Sequence, residues 1–430
     1  MSTPPLPPSP NAVGPHPALW EELRSAGLAI CTGLVACAAC TATLHLAPDR
    51  RYGAFVAIFA VTWGLLLHVL PLPKRAGIIL GTAIAIRMIA IGSPPLLSDD
   101  LYRYLWEGAL LLADGDPFLT PPASVNGIDD DLRALVNHAH VTSIYPPLAL
   151  WWFQLLAMMG RTAVVAQAAT AALDVGTVAL LLRDRSRSSR WGAALYALHP
   201  LPVLESAVGA HVDIVAIFLL TAALTANRGR VLLAVLGGSV KLLPFAAVPM
   251  LVARGPRSRL LGAGLLAIAV PFALAAPLVQ FEPAMFDALR TYANHWSFNP
   301  LLFGILEQLA PDAARPLLAV LGLTLTVGIW IRQADPWRGM LYVGAVFLIV
   351  SPTVHPWYLL WVFIPAAALG ERRWTLAATF FQASYLVLWT YDPSTGAWSA
   401  GPWLALVTWL PAAGALLIGR SRPLPGHTPG

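Results

Sequence analysis

Apolar positions along the chain do not alternate; they run together in blocks of about 17 to 22 residues, close to the roughly 20 that a helix needs to cross a bilayer core. Clear blocks are Gly27 to Leu46, Gly53 to Leu70, Ala76 to Gly92, Thr162 to Leu182, Leu260 to Val279, Ala313 to Ile331, Trp374 to Thr390 and Trp403 to Ile418. Shorter blocks, broken or bounded by polar and proline-rich corners, are Trp191 to Val208, Val212 to Ala226, Gly339 to Val350 and Trp357 to Leu369. Two further stretches are expected not to cross: Pro146 to Gly160, read as an amphipathic surface helix, and Val231 to Val252, broken at Gly237-Gly238 and read as a re-entrant pair. Broken helices survive at membrane depth only where they line a cavity or pack on protein. The pattern predicts an all-α polytopic membrane protein with about twelve spans plus the re-entrant pair, and a long loop from Ser93 to Arg161 carrying surface helices.

Domain organisation follows from the same pattern. Seven prolines among the first 19 residues, with no apolar stretch of signal-peptide length, predict a disordered tail over 1–25. One membrane domain is expected over 26–420, made of a helix pair (26–75), a central module (76–260) and C-terminal helices (261–420), with a short tail at 421–430.

Composition agrees. Of 430 residues, 57% are hydrophobic and 11% charged, against roughly half and a quarter in soluble domains. That excludes a disordered chain and a nucleic-acid-binding domain. The three cysteines, Cys31, Cys37 and Cys40, fall inside one apolar block and read as small hydrophobes. The net charge of +5 matters less than where the charges lie. With the amino terminus in the cytoplasm, Arg24, Lys74, Arg75, Arg183, Arg185, Arg187, Arg190, Arg228, Arg230, Arg254, Arg257, Arg259, Arg332, Arg338, Arg372, Arg373, Arg420 and Arg422 all fall inside, eighteen of 27 basic residues. The opposite face collects sixteen of 22 acids. The expectation is a multi-pass protein of the cytoplasmic membrane, both termini inside, with its functional face outside.

That outer face carries the chemistry. The first loop opens with Ser98-Asp99-Asp100-Leu101-Tyr102-Arg103-Tyr104-Leu105-Trp106-Glu107-Gly108. Adjacent carboxylates at the end of a span serve either as a helix start favoured by the dipole or as a general base at a cavity rim, with Arg103 and Glu107 on the helical face of Asp99. Asp114-Gly115-Asp116-Pro117 reads as turn chemistry. His138 and His140, two apart, are a weak metal signal lacking a third ligand, which leaves room for a divalent metal without requiring one. Further outer clusters are His199, Glu205, His211 and Asp213; His295, Trp296 and Asn299; and His355, Trp357 and Tyr358. Ionisable residues at membrane depth mark substrate paths. Lys241, after the re-entrant break, is placed to meet a lipid phosphate or to snorkel. Asp174 and Arg87, inside spans, are expected to pair with other protein groups.

The Ser98–Gly108 motif, followed by Gly115-Asp116-Pro117-Phe118 and Tyr145-Pro146-Pro147, resembles the GT-C superfamily of membrane glycosyltransferases, nearest to the polyprenyl-phosphomannose-dependent mannosyltransferases and glycosyltransferase family 87. Glu205 with Gly209-Ala210-His211-Val212-Asp213, Lys241 to Pro244, Trp296 to Asn299, and Ser351-Pro352 with His355 to Tyr358 extend the likeness over about two-thirds of the chain. The resemblance implies a base at Asp99 or Asp100 and a lipid-phosphate contact at His355. It also implies substrate-binding roles around Arg103, Tyr104, Glu107, Tyr145, Glu205, His211, Asp213, Lys241, His295, Trp296, Asn299, Trp357 and Tyr358. Glu107 stands where aspartate is usual, and a paired second histidine is missing from the late motif.

Outside the cytoplasm there is no nucleotide-sugar pool, so a polyprenyl-phosphate sugar is the natural donor, and a glycolipid or glycan hydroxyl the acceptor. Such a site needs a base, cations for the departing phosphate and alignment of both substrates. Of the two carboxylates the order of the chain favours Asp99, and His355, Lys241 and Arg103 are the phosphate candidates. The rivals are a transporter or lipid flippase, whose mark is an internal repeat of broken helices, and an assembly subunit, which leaves the carboxylate pair without a purpose.

Overall fold

The computed structural model describes residues 17–183, 189–253 and 256–418. Among these every named element is helical, and β pairing is confined to two isolated bridges. The N-terminal helix α1 (Pro17–Leu46) is joined through a 3₁₀ turn at Arg50–Tyr52 to α2 (Gly53–Val69), and Asp49 caps the turn by accepting from the Arg51 amide. Next come α3 (Ala76–Ala90), α4 (Asp100–Leu112), the single turn α5 (Asp130–Arg133), α6 (Pro147–Met159) and α7 (Ala163–Arg183). The chain continues through α8 (Arg190–Leu198), α9 (Pro200–Ala207), α10 (Asp213–Thr225), α11 (Arg230–Gly238), α12 (Ala247–Val252) and α13 (Arg257–Ala275). The last elements are α14 (Asp287–His295), α15 (Leu302–Leu309), α16 (Pro311–Arg332), α17 (Pro336–Val350), α18 (Leu360–Leu369), α19 (Arg372–Phe380) and α20 (Pro402–Ile418).

Helix α1 starts at Pro17, well before the expected boundary at residue 26. Glu22 explains the extension: its Oε1 accepts the Lys74 and Arg75 amides, both at 2.6 Å, docking the early turns of α1 on the α2–α3 corner. The rest of the N-terminal tail, the tail at 421–430, and Arg185, Arg187, Arg254, Arg420 and Arg422 lie outside the described residues.

Among the described residues five helices are long and apolar enough to cross a membrane: Leu19–Leu46, Arg50–Val69, Ala163–Arg183, Ser258–Ala275 and Pro311–Arg332. Seven shorter apolar helices accompany them. On α13 and α16 most apolar side chains face outward, among them Leu261, Leu265, Ile268, Leu317, Val320 and Leu323. Such continuous apolar surface is untenable in water and natural against lipid, and the protein is a membrane protein.

Expected breaks occur where proline and glycine forbid regular helix. The Trp191–Val208 block divides at His199-Pro200 into α8 and α9, with His199 Nδ1 accepting the Leu201 amide at 3.2 Å. The Val231–Val252 stretch breaks after Gly238 and resumes through a 3₁₀ turn at Leu243–Ala246 into α12. The Trp374–Thr390 block is not one helix: α19 gives way to 3₁₀ geometry from Phe381 to Thr390.

Two contacts set the interior. Helix α6 packs on α4, with Ala149, Leu150, Phe153, Leu156 and Ala157 buried. It approaches so closely at Gly108 that a Cβ there would overlap the Phe153 carbonyl. Deeper in, Arg87 of α3 binds Asp174 of α7 (Nη2 to Oδ2, 2.6 Å) and donates to the Ala197 carbonyl of α8 (2.7 Å), while Tyr196 of α8 and Ser206 of α9 donate to Asp174. One buried ion pair therefore ties four helices, as the sequence leads one to expect. Removing either partner strands a charge, at a cost of about 3–5 kcal/mol.

Candidate active site

A cavity of about 840 Å³ lies where α4, the loop 134–145, the break after α11, helix α14, the loop before α18 and the turn at 391–398 converge. Asp99, Asp100, Arg103, Tyr145, Lys241, His295, Trp296, His355, Trp357 and Tyr358 line it. Residues scattered over most of the sequence thus share one space, although the expected cluster of His199, Glu205, His211 and Asp213 does not reach its wall.

The two carboxylates are not equivalent. Asp99 stands at the N-cap of α4, but its side chain does not cap the helix. Its Oδ2 instead accepts from Arg50 Nη1 at 2.8 Å and its Oδ1 from Asn137 Nδ2 at 2.6 Å. Asp100, in the first turn of α4, takes only a longer hydrogen bond from Asn137 at 3.2 Å to Oδ1. Among the described residues its Oδ2 has no partner at hydrogen-bonding distance, His211 Nδ1 being 4.0 Å away. Burial, and then the neighbouring charge of Asp99, push the Asp100 carboxyl above the usual carboxylate range, with Asn137, Lys241 and Arg103 pulling the other way.

Arg103 faces the same cavity but is already committed. It donates to Glu107 (3.3 Å) and to the carbonyls of Asn137 (2.5 Å), His138 (2.9 Å) and Val141 (3.1 Å). It therefore staples the 137–141 loop to α4, which holds Asn137 over the carboxylates. It does not share a contact with Asp99 as their spacing implies.

On the opposite wall, Lys241 Nζ pairs with Asp213 at 3.1 Å and sits 5.6 Å from the ring centres of both Tyr145 and Tyr358. The break after Gly238 is what frees this side chain to project inward. His355 is sandwiched between Phe298 (4.8 Å between ring centres) and Trp357 (4.4 Å). Neither of its ring nitrogens has a hydrogen-bond partner among the described residues. A short parallel bridge, with Phe298 N donating to Pro352 and Val354 N to Phe298, fixes the 296–299 loop against the turn that bears His355. Tyr292 and Tyr358 join hydroxyls at 3.0 Å above Lys241.

Several expected site residues lie behind the walls. Glu205, His211 and Asp213 are completely buried. Glu205 accepts from Tyr385 (2.9 and 3.0 Å) and lies 3.3 Å from His211 Nε2; Asp213 accepts from Trp361 at 3.1 Å. Tyr104 stacks on Phe153 in the α4–α6 interface. Glu107 is buried with Arg103 and Ser143. Asn299 is turned away, bonded to Ser384 and Thr408 at a positive φ of 48°. None of these six lines the cavity.

Sequence reasoning missed Arg50, Tyr292 and Tyr385 and gave Asn137 no role; the 391–398 turn, legible as Asp392-Pro393-Ser394-Thr395-Gly396, closes the cavity beside them. The Asp114–Pro117 stretch is the expected turn, and Asp116 caps Phe118 and accepts the Gln280 amide. The His138 and His140 ring centres are 6.3 Å apart, and His138 packs on Trp296 at 4.9 Å. Among the described residues no three His, Cys, Asp or Glu side chains gather as a metal site.

A cavity with carboxylates facing an ammonium and an imidazole suits group transfer involving an anionic leaving group. Comparison with known proteins agrees. Residues 52–255 match the N-terminal domain of the alpha-(1->6)-mannopyranosyltransferase family (MptA/MptB), and residues 301–419 match the MptB C-terminal domain. No curated protein and no solved structure matches the chain. The two matches cover three-quarters of the sequence and contain every lining residue except Arg50, Tyr292, His295, Trp296, Ser297 and Phe298. The chain is a membrane glycosyltransferase and belongs to the alpha-(1->6)-mannopyranosyltransferase family.

Proposed function

We propose that the protein transfers a mannosyl residue from a polyprenyl-phosphate donor to a glycolipid or glycan hydroxyl on the extracytoplasmic face of the membrane, with Asp100 as the general base. The observation that carries this reading is the opposition, across one cavity, of Asp100 with an uncommitted oxygen and the Lys241–His355 wall. Asp100 takes the acceptor proton as the acceptor oxygen bonds to the anomeric carbon. The bond from that carbon to the phosphate oxygen breaks, its electron pair leaves with the lipid phosphate, and Lys241 and His355 hydrogen-bond the departing anion. A single displacement inverts the anomeric centre, so the alpha linkage in the family's name calls for a beta-configured donor. No second carboxyl acid is needed, because phosphate departs without protonation, unlike the leaving group of most glycosidases.

Asp100 is preferred over Asp99, which the order of the chain favours, because both oxygens of Asp99 already hold Arg50 and Asn137. Purified protein is incubated with synthetic polyprenyl-phosphate mannose, with and without a mannoside acceptor. The expected result is acceptor-dependent release of polyprenyl phosphate, lost by about 10²- to 10⁴-fold in Asp100→Asn. Acceptor-independent behaviour, or transport of the donor without cleavage, refutes the reading in favour of a flippase.

A further inference from the structure

Behind Asp100 the structure holds an imidazole with no other employment. His211 is completely buried, and neither of its ring nitrogens makes a regular hydrogen bond. Its ring is stacked 3.9 Å from that of Trp357, inclined by 19°, so its plane is fixed. His211 Nδ1 lies 4.0 Å from Asp100 Oδ2 and Nε2 lies 3.3 Å from Glu205 Oε2. Glu205 is fixed in turn, both its oxygens receiving the Tyr385 hydroxyl. The left-handed backbone of Ala210, at φ 48°, turns the chain so that His211 faces back over α9, and the His211 amide donates to the Glu205 carbonyl at 2.9 Å. An imidazole buried without a satisfied nitrogen is costly, and such a cost persists at sites where it serves a purpose.

We infer that His211 is a positioning residue for the transfer reaction: its Nδ1–H steers the free oxygen of Asp100 toward the acceptor hydroxyl, and Glu205, in its acid form and held by Tyr385, donates to Nε2 and so keeps the proton on Nδ1. The inference rests on Asp100 being the base. It assigns His211 and Glu205 to the back of the base and takes them out of direct substrate contact, in keeping with their absence from the cavity wall. The 4.0 Å separation involves Oδ2, the Asp100 oxygen without a hydrogen bond among the described residues, whereas Oδ1 is held by Asn137. Trp357 couples the device to the donor side, since one of its neighbours in the stack is His211 and another is His355.

The test compares His211→Phe, His211→Asn, His211→Gln and Asp100→Asn, each purified in detergent and assayed with synthetic polyprenyl-phosphate mannose and a mannoside acceptor. Phe keeps the ring stacked on Trp357 and removes both nitrogens. Asn places an amide nitrogen near Nδ1, whereas Gln places one near Nε2. The expected result is a kcat about tenfold or more lower in His211→Phe with donor KM within about twofold, recovery in Asn, and none in Gln. A structural role moves yield and melting temperature and does not distinguish Asn from Gln. Normal kcat in folded His211→Phe alongside an inactive Asp100→Asn overturns the inference alone; near-normal turnover of Asp100→Asn refutes the base on which it rests. Should His211→Phe fail to accumulate, the Asn and Gln variants decide, and equal turnover of the two overturns the inference.

Discussion

Arg50 Nη1 donates to Asp99 Oδ2 across 2.8 Å, joining residues 49 positions apart. The guanidinium also donates to the Leu96 carbonyl at 3.2 Å and lies over the Tyr391 ring, so the α1–α2 turn, the start of α4 and the 391–398 turn meet at one side chain. The pair is partly solvated, and its loss costs folding no more than about 1 kcal/mol. Its effect on geometry is larger. Arg50→Ala is expected to lower kcat by about tenfold or more with little change in melting temperature. A variant with wild-type kcat removes Arg50 from any part in arranging the carboxylates.

The raised carboxyl of Asp100 has a kinetic consequence of definite sign. A base works only when ionised, so activity falls as pH drops through its folded-state pKa. Burial and the Asp99 charge have moved that pKa upward. The acid limb of the kcat/KM profile is therefore expected above the usual aspartate range of about 4. Asp99→Asn removes the neighbouring charge and should shift the limb to lower pH while retaining much more activity than Asp100→Asn. An acid limb that Asp99→Asn leaves in place counts against the coupling of the two carboxylates.

Lys241 and Asp213 form a pair in which Asp213 is wholly buried. Replacing Lys241 with Met leaves that carboxylate unpaired, and destabilisation of about 3–5 kcal/mol is expected. Adding Asp213→Asn should restore most of the melting temperature but, if the proposed phosphate contact holds, leave the donor KM raised and kcat reduced, because the ammonium is still missing. Restoration of full activity by the double variant shows that Lys241 serves folding only.

The sidedness inferred from arginine and lysine placement is open to a labelling test. Ser124 is exposed on the 93–161 segment. In a background lacking the exposed Cys31, a cysteine introduced at Ser124 should react with an impermeant maleimide in intact cells. Labelling only after lysis reverses the topology.

Gly108 has no room for a methyl group against the Phe153 carbonyl. Gly108→Ala should therefore force α4 and α6 apart, at about 1–3 kcal/mol, and lower the melting temperature measurably. Since α4 carries both carboxylates, turnover should fall with it; unchanged melting and turnover show that the helices separate freely.

The long apolar blocks and most of their boundaries were legible from residue pattern alone, because in lipid each segment must satisfy its own backbone and the required length is set by the bilayer. The breaks at His199-Pro200 and after Gly238 were legible for an equally local reason. Counting charges assigned Asp99, His295 and His355 to one face; that they share a cavity with Lys241 is decided by packing. What the sequence could not decide was which polar group meets which. Its spacing put Arg103 with Asp99, yet Arg103 binds the 137–141 loop and the partner of Asp99 comes from another hairpin. It offered Glu205, His211 and Asn299 as site residues alongside His355, yet only His355 of these lines the cavity. Local sequence fixes where a helix forms, through chain stiffness and hydrogen bonds a few residues long. Pairing of buried polar groups is settled by side chains that meet only after the helices pack, each taking the partner that leaves fewest groups unsatisfied.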